Sequence, residues 1–582
     1  MSAKHLSDDA ASLVQTALRS LTLVNPSVAF DEAQKTIFYR PSVTSKNVAI
    51  ISGGGSGHEP AFAGFVGKGL LSGAVAGSIF ASPSAEQVYR CLMRLGKQRR
   101  ESGILVIIMN YTGDVLHFGM AVEKARAAGI ACELLIVGDD VGVGRTRSGK
   151  VGRRGLAGTV LVEKIAGGLA IQGHPLSEVY STSKLVAENI ATVGASLSHV
   201  HVPGRAKDAD ELTSNDEIEI GMGIHNEEGF GRVKTDLSGL VKTMLAQLLD
   251  LSDKERGFLE LKKGDDTVLL VNNLGGLSQL EVGAVVNEVS QQLGATYGAY
   301  PKRILSGTYM SSLNGLGFSI TLLKVVKPEW LDLIDLPVEA AGWTASVNPS
   351  EGVSQEAEED VSSDSAEREI VPSSFSLDPA QVQKVLTRAL DKVIAAEPEV
   401  TKYDTLVGDG DCGLCLKTCA LAVQEYINTS PAALGDAVNL LEELALLVEG
   451  NMDGTSGALY AIFINALAGA VRQQSNGCKE VQQPSVTMWA DALDTALKAL
   501  GHYTPARPGD RTLVDALEPF VVSLKETADV GTAVKAAVQG CESTKGIEAS
   551  LGRSVYVGGE EFKNCPDPGA YGLVKLLEGF LS

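Results

Sequence analysis

Residues 48–60 read VAIISGGGSGHEP, a short apolar run that leads into a glycine-rich loop. Three more runs of this kind end in Gly, Asn or Asp within a few residues: ILVII at 104–108, LLIV at 134–137 and VLLV at 268–271. Short, continuously apolar runs are typical of strands in sheets that are covered on both faces. The first half is therefore predicted to be an α/β module, residues 1–345, with two α/β subdomains of about 1–190 and 191–345.

The pattern changes in the second half of the chain. From Glu351 to Glu369 there are eight acidic residues and one basic residue, and no apolar periodicity, which predicts a solvated, disordered linker over 346–376. Beyond it, apolar residues recur with helical period at 377–396, 434–447, 488–500 and 513–527. We therefore predict a separately folded, mainly helical module over 377–582.

Charge and composition exclude several classes of protein. The formal net charge of −21 over 582 residues gives no general positive field, so a nucleic-acid partner is not expected. The chain has no signal-like leader and no run of 18 apolar residues, so neither secretion nor a membrane span is predicted. The eight cysteines include one C-x-x-C, at 412–415, without a matching second pair, which favours a reduced, cytoplasmic protein.

Each loop that could carry chemistry also has a plainer interpretation. GRTRSGK at 144–150 fits part of a P-loop, but Val151 stands where that motif needs Ser or Thr, so we interpret it as a basic surface loop. The loop at 52–60 could hold a small polar ligand or simply make a strand-to-helix turn. Asp114, after the strand at 104–108, could be a general base or a helix N-cap. His225, among glycines, could meet a ligand or be structural.

Three carboxylates lie close together in the helical half. Asp404, Asp409 and Asp411 fall within eight residues in a glycine-containing segment, and hard oxygen ligands of this kind suit magnesium or calcium. An EF-hand counted from Asp409 would place Gly413 and Ala420 at ligand positions, so that interpretation fails. We prefer a magnesium–phosphate site over a solvated acidic turn. Two later loops could also hold phosphate or base, GTSG at 454–457 and DPGA at 567–570.

Six motifs in this order resemble those of the single-chain, ATP-dependent dihydroxyacetone kinases. They are GGGSGHEP, NYTGDVLHFG, GMGIHNEEG, VGDGDCG, PGDRTLVDAL and DPGA, and the resemblance covers nearly the whole chain except the acidic linker. It implies that the first module binds dihydroxyacetone. It also implies that the second is an eight-helix barrel that carries ATP and two Mg²⁺ ions.

The resemblance also implies roles for individual residues. His225 is similar to the histidine that forms a hemiaminal with the substrate carbonyl, Asp114 to the base, and His58 to a histidine that assists by hydrogen bonding. The implied substrate loop comprises Gly55, Ser56 and Gly57, and Met109 stands where the family pattern has a lysine of the substrate site. Asp404, Asp409 and Asp411 match the metal ligands. The implied nucleotide contacts are Cys412, Gly413, Leu414, Cys415, Thr455, Ser456, Leu513, Arg553, Asp567, Pro568 and Gly569.

The expected activity is phosphorylation of dihydroxyacetone by ATP, with D-glyceraldehyde as a second substrate. Two alternatives stay open at this point, cyclisation of FAD-type nucleotides by the helical module and a non-catalytic regulatory role. The intact trio of aspartates disfavours the regulator, since a pure sensor needs no metal ligands. The long linker permits domain exchange, so we expect a homodimer in which one subunit's helical module serves its partner's substrate loop.

Overall fold

The computed structural model describes residues 5–40, 47–97, 99, 101–205, 217–348, 370–549, 551 and 561–581. The chain forms two compact units, residues 1–356 and 357–582. The first combines helices with two sheets, and the described part of the second is helical apart from isolated bridges. The predicted fold class, an α/β module followed by an all-helical module, is therefore confirmed.

The first sheet of the α/β unit has six strands in the order β1-β2-β4-β3-β5-β6. β3 pairs in parallel with β4 and β5, and β5 with β6, whereas β1 and β2 are antiparallel. Every residue of β5 is buried, as its continuous apolar sequence predicts. The strands are β1 Val28–Asp31, β2 Thr36–Tyr39, β3 Ala49–Ser56, β4 Gly73–Ile79, β5 Ile104–Met109 and β6 Cys132–Val137.

The second sheet also has six strands, in the order β11-β10-β12-β7-β8-β9. It is antiparallel except for the β10–β11 pair. The short β8 and β9 end the sheet, and the segment between them contains His225. The strands are β7 Ile190–Ser196, β8 Ile218–Ile220, β9 Gly231–Val233, β10 Thr267–Asn273, β11 Arg303–Gly307 and β12 Gly317–Lys324.

Helices cover both sheets of this unit. Helix α5 is buried from Gly158 to Ala170 and contacts strands of both sheets, so it lies in the core between them. The helices are α1 Ala10–Val24, α2 Ala85–Gly96, α3 Thr112–Ala127, α4 Arg145–Ser148, α5 Gly158–Ile171, α6 Leu176–Glu188, α7 Leu237–Leu249, α8 Gln279–Gln292 and α9 Glu329–Asp335.

The P-loop-like segment is a surface loop around α4, as we interpreted it. The Arg145 guanidinium lies over the ring of Phe258 and donates to the Arg256 carbonyl, and Thr146 donates to the Glu255 carboxylate. Val151 is exposed. The basic residues therefore attach the loop to the neighbouring segment instead of surrounding an anion.

Eight helices make up the described part of the second unit. Each packs against the next along the chain, and α17 packs back against α10, so the eight close into a ring. The helices are α10 Pro379–Val407, α11 Cys412–Thr429, α12 Ala437–Asn451, α13 Gly454–Asn476, α14 Val486–Tyr503, α15 Val514–Thr527, α16 Val530–Ser543 and α17 Pro568–Glu578.

The predicted linker, residues 346–376, extends too far at its carboxyl end. Phe375 is fully buried in a hydrophobic cluster of the helical unit, and the Ser373 hydroxyl and amide both donate to the carboxylate of Asp436. Burial of one large aromatic side chain stabilises a structure by roughly 1.5–3 kcal/mol, and the hydrogen bonds of Ser373 add to this anchoring. The acidic stretch 349–369, on which the prediction of disorder rests, lies outside the described residues.

One helix in the described residues, α13, is long and apolar enough to cross a membrane by length and composition. It packs against α12 and α14, and Leu467, Ala468 and Val471 lie in a buried cluster of the unit. These contacts are those of a core helix in a folded helical unit.

Candidate active site

Two histidines from different sheets meet in the first unit. His58 follows the carboxyl end of β3, and His225 lies between β8 and β9. Gly57 adopts φ +103°, and a Cβ there would lie 2.7 Å from the ring of Phe80, so the loop needs glycine at this position. The turn brings the two Nε2 atoms within 3.0 Å of each other.

The hydrogen bonds at Nδ1 fix the tautomers of both histidine rings. Nδ1 of His58 lies 2.9 Å from the Ser311 carbonyl, which only accepts, so this nitrogen carries a proton. Nδ1 of His225 lies 2.8 Å from Oε1 of Glu227, and it carries a proton for the same reason. Two neutral rings would therefore face each other with lone pairs on Nε2. The Nε2–Nε2 hydrogen bond requires one additional proton between them.

The surroundings of the two rings differ in how well they favour that proton. Burial and the neighbouring His225 lower the pKa of His58 to about 3, so His58 acts as the acceptor. Burial raises the pKa of Glu227, but the hydrogen bond and charge of His225 outweigh it and lower the value to about 2. Glu227 is thus a carboxylate that accepts the Nδ1 proton of His225.

Aromatic rings surround the two imidazoles. Phe80 stacks on His58 with ring centroids 5.2 Å apart, and the edges of Phe80 and Tyr111 meet His225 at 5.1 and 4.8 Å. His58 is fully buried, whereas the His225 side chain keeps 21% of its surface exposed. The reachable member of the pair is therefore His225.

Asp114 lies in the first turn of α3, where the backbone turns away from the end of β5. Among the described residues its Oδ1 has no hydrogen-bond partner, although the side chain is buried. A Cβ on Gly54 would lie 3.6 Å from Oδ2, which places the carboxyl beside the glycine loop. Burial raises the pKa of Asp114, while Ser82, His225 and His117 act in the opposite sense. A buried carboxyl that keeps one oxygen, Oδ1, unpaired while Ser82 hydrogen-bonds the group suits a proton acceptor.

The other residues predicted to bind substrate surround the same loop. Gly55 and Gly57 line it through their backbone, and the Gly57 amide donates to the carboxylate of Glu59 at 3.0 Å. The Ser56 hydroxyl is already engaged with the Gly77 carbonyl at 2.9 Å, so Ser56 offers backbone atoms. The side chain of Met109 is buried in the core and its Cβ lies against Gly155, where an ammonium group would have no water.

The three aspartates of the helical unit converge. Each offers a carboxylate oxygen, and these oxygens lie within 4.8 Å of one another. Asp404, on α10, is buried and accepts from the Cys412 amide at 3.0 Å, whereas Asp409 and Asp411 are exposed in the loop before α11. Converging carboxylates of this kind fit hard divalent cations such as Mg²⁺. The donor set therefore fits the metal ions that the sequence implies.

The predicted nucleotide residues lie at the N-termini of alternate helices. Cys412, Gly413, Leu414 and Cys415 form the first turn of α11, and Thr455 and Ser456 that of α13. Leu513 directly precedes α15, and Asp567 is the N-cap of α17, with Pro568 and Gly569 following. Helix N-termini carry unpaired N–H groups and a partial positive charge, both of which favour phosphate.

Contacts connect these helix ends to one another and to the aspartates. The Cys412 Sγ lies 3.9 Å from the Ser456 Oγ, and a Cβ on Gly569 would lie 3.5 Å from the Leu513 Cβ. Burial raises the pKa of Asp567 to about 7, and the charge of Asp404 contributes in the same direction. Arg553, the remaining predicted nucleotide residue, lies outside the described residues.

Comparison with known proteins identifies the family. A Dak1 domain matches residues 19–342, and a DAK2 domain matches residues 406–582. The dihydroxyacetone kinase of Pichia angusta is 43% identical, with 100% of this chain and 98% of the relative aligned. The chain belongs to the dihydroxyacetone kinase family. The resemblance inferred from six motifs is thereby confirmed.

Other members of the dihydroxyacetone kinase family extend the comparison. The crystal structure of the dihydroxyacetone kinase of C. freundii matches with a TM-score of 0.62 at 30% identity, covering 100% of this chain and 99% of that one. The same enzyme in complex with AMP-PNP and Mg²⁺ matches with a TM-score of 0.61, at 30% identity and 99% coverage of both chains. The human triokinase/FMN cyclase is 36% identical, with 100% of this chain and 99% of the relative aligned.

Sequence reasoning singled out the two histidines and Asp114 but missed their partners. Glu227 lies two residues after His225 within the motif GMGIHNEEG. This H-x-E spacing could have indicated that a carboxylate lies beside the histidine. Phe80 and the Ser311 carbonyl lie outside every motif, and only the folded chain brings them to His58.

Proposed function

We propose that this chain transfers the terminal phosphate of ATP to dihydroxyacetone, with the ketone held as a hemiaminal on His225. The observation that carries this proposal is the imidazole pair, in which Glu227 and Ser311 leave Nε2 of His225 as the atom that can react. Full-length similarity to dihydroxyacetone kinases supports the reaction class. We also propose D-glyceraldehyde as a second substrate, and the human relative is named a triokinase/FMN cyclase.

The imidazole pair can capture a ketone with balanced proton transfer. His58 accepts the shared proton, Nε2 of His225 attacks the carbonyl carbon, and the carbonyl electron pair moves onto oxygen. That oxygen takes the proton and becomes a hydroxyl, so the adduct is an N-alkyl imidazolium with the charge that the resting pair had. Covalent capture gives a three-carbon substrate the orientation that its small surface could not supply, and it discriminates against glycerol.

Phosphoryl transfer then needs a free hydroxyl and a neutralised phosphate. Asp114 accepts the proton of the attacking hydroxyl, and its unpartnered Oδ1 is the atom placed to do so. Asp404, Asp409 and Asp411 would hold two Mg²⁺ ions, and bound ions would supply neutralisation of the phosphate charge. The first turns of α11, α13 and α17 would donate backbone N–H groups to the nucleotide, apart from the Cys412 N–H, which already donates to Asp404.

A coupled assay tests the proposed function. Purified full-length protein with ATP and Mg²⁺ is expected to form ADP only when dihydroxyacetone or D-glyceraldehyde is added, and not with glycerol. Absence of ketone-dependent ADP formation would contradict the proposal. The same protein is also assayed with FAD and Mn²⁺, because a triokinase/FMN cyclase is among the relatives and FAD cleavage would indicate this second activity.

A non-catalytic regulator is the weaker alternative. The three convergent carboxylates disfavour it, because a sensor of the ketone alone has no use for a metal site. Ketone-dependent ATP turnover in the assay above would exclude it.

The cellular setting and assembly complete the proposal. We infer a cytoplasmic enzyme, supported by the eight cysteines, which all lie in the described part of the chain and are not joined by disulfides there. We also infer a homodimer with domain exchange, supported by the length of the acidic segment between the two units.

Complementation tests domain exchange. The Asp114→Asn and Asp409→Asn variants are each expected to be inactive alone. The two subunits are then co-expressed with different tags, and their heterodimer is isolated and assayed. Exchange joins the intact helical unit of the first to the intact substrate unit of the second, so about half of the wild-type activity is expected, one site in two. An inactive heterodimer, or a monomeric wild-type protein at assay concentration, would contradict the arrangement.

A further inference from the structure

Glu227 holds His225 by two bonds at once. Its Oε1 accepts from Nδ1 of the His225 ring at 2.8 Å, and its Oε2 accepts from the backbone N–H of the same residue at 2.9 Å. The carboxylate therefore fixes both the ring and the backbone that carries it. Because Nδ1 is held by Glu227, Nε2, which hydrogen-bonds to Nε2 of His58 at 3.0 Å, is the nitrogen that can bind a ligand once the shared proton moves to His58.

The surroundings of Glu227 are built to hold its carboxylate. The Gly223 amide donates to the Glu227 carbonyl at 2.9 Å, and a Cβ on Gly223 would lie 2.0 Å from Glu227 Oε2 and 2.5 Å from Arg154 Nη1. Arg154 is fixed in turn by Asp140, which is fully buried, and by the Gly221 carbonyl at 2.8 Å. Glycine at 223 thus leaves the space that the carboxylate and the guanidinium occupy.

Capture of a ketone leaves a permanent positive charge on His225. When the Nε2–C bond forms, the ring keeps its proton on Nδ1, so it cannot become neutral without giving that proton to Glu227. A carboxylate 2.8 Å from Nδ1 lowers the energy of the cationic adduct and holds the ring in the orientation for attack.

Resting on the proposed function, we propose that Glu227 is a positioning residue for carbonyl capture: it orients His225 with Nε2 toward the ketone and neutralises the imidazolium of the adduct. Its contribution is to binding of the carbonyl substrate, because the adduct exists before phosphate is transferred. Loss of the carboxylate therefore weakens capture of dihydroxyacetone and leaves ATP binding unchanged.

The test compares Glu227→Gln with Glu228→Gln in the full-length protein. Glutamine keeps the size of the side chain but removes its charge and presents an N–H group to one of the two His225 donors. The neighbouring Glu228 is a matched control, since its exposed side chain makes a surface ion pair with Arg147 at 3.2 Å. For Glu227→Gln we expect KM for dihydroxyacetone to rise about tenfold or more, with KM for ATP unchanged. Glu228→Gln is expected to match the wild type.

A second variant, Gly223→Ala, retains Glu227 but places a methyl group where Oε2 lies. It is expected to raise KM for dihydroxyacetone in the same way, and titration of the ketone without ATP should show weaker binding to both variants. If either folded variant keeps the wild-type KM for the ketone, or if KM for ATP rises equally, the positioning role is wrong. A wild-type protein without ketone-dependent turnover would instead contradict the proposed function itself.

Discussion

Replacing Asp114 with asparagine is expected to lower kcat by about 10²–10⁴-fold while leaving the fold and the KM for ATP intact. The carboxyl is buried and its Oδ1 has no partner among the described residues, so under the proposed function it is the acceptor of the hydroxyl proton. Asparagine fills the same space and still offers an oxygen, but it cannot take up the proton.

Steady-state kinetics with dihydroxyacetone as the varied substrate measure this effect, with thermal unfolding as the check on folding. Glu123→Gln is the matched control, because Glu123 lies on the same helix, exposed and paired with Arg126 at 2.8 Å. An Asp114→Asn variant with wild-type kcat would remove the assignment of the base.

The dependence of kcat/KM on pH tests the same assignment of Asp114 independently. Burial raises the pKa of Asp114 above that of an ordinary aspartate. A base must be deprotonated to act, so kcat/KM is expected to fall as the pH drops through this raised value, at a higher pH than an exposed aspartate would give. The asparagine variant is expected to lose this acidic limb from its small residual activity.

Removing one metal carboxylate is expected to have an effect of comparable size. For Asp409→Asn or Asp411→Asn we expect kcat to fall at least about 10³-fold at ordinary Mg²⁺ concentrations, because the phosphate charge is no longer neutralised. These two side chains are exposed, so the fold does not depend on their burial. Asp404 is less suitable, because its carboxylate also accepts from the Cys412 amide.

The readout that separates metal binding from general damage is thermal unfolding with AMP-PNP and Mg²⁺. The wild-type melting temperature is expected to rise when both are added, because ligands that bind only the folded state stabilise it, and the variants are expected to lose this rise. Asp391→Asn is the control, since Asp391 is exposed on the same α10 helix and accepts from Gln424. An undiminished rise in the Asp409 variant would contradict the metal assignment.

Local sequence predicted the secondary structure around the site well. The apolar runs at 48–51, 104–108, 134–137 and 268–271 lie in strands to within a residue, and each helical period after residue 377 lies in a helix to within three residues. These elements are encoded by short-range periodicity, which one sequence displays directly. The end of the linker was harder, because Phe375 is fixed by a cluster of residues that lie far away in sequence.

The composition of the site could be predicted only in part. His58 and His225 are 167 residues apart, and nothing in either local pattern requires their Nε2 atoms to meet at 3.0 Å. Family resemblance implied a role for each histidine but not a contact between them, and the low pKa of His58 depends on complete burial, which the glycine loop does not reveal. The sequence likewise could not show that the Met109 side chain lies in the buried core, which is why an ammonium group at this position would have no water.

The most direct measurement is a crystal structure of the full-length protein soaked with dihydroxyacetone, with the His225→Ala variant treated in parallel. The account predicts continuous density joining Nε2 of His225 to a tetrahedral carbon, with Glu227 still on Nδ1, and no such adduct in the variant. A ketone bound as an intact planar carbonyl away from Nε2, or bound equally well by the alanine variant, would contradict it.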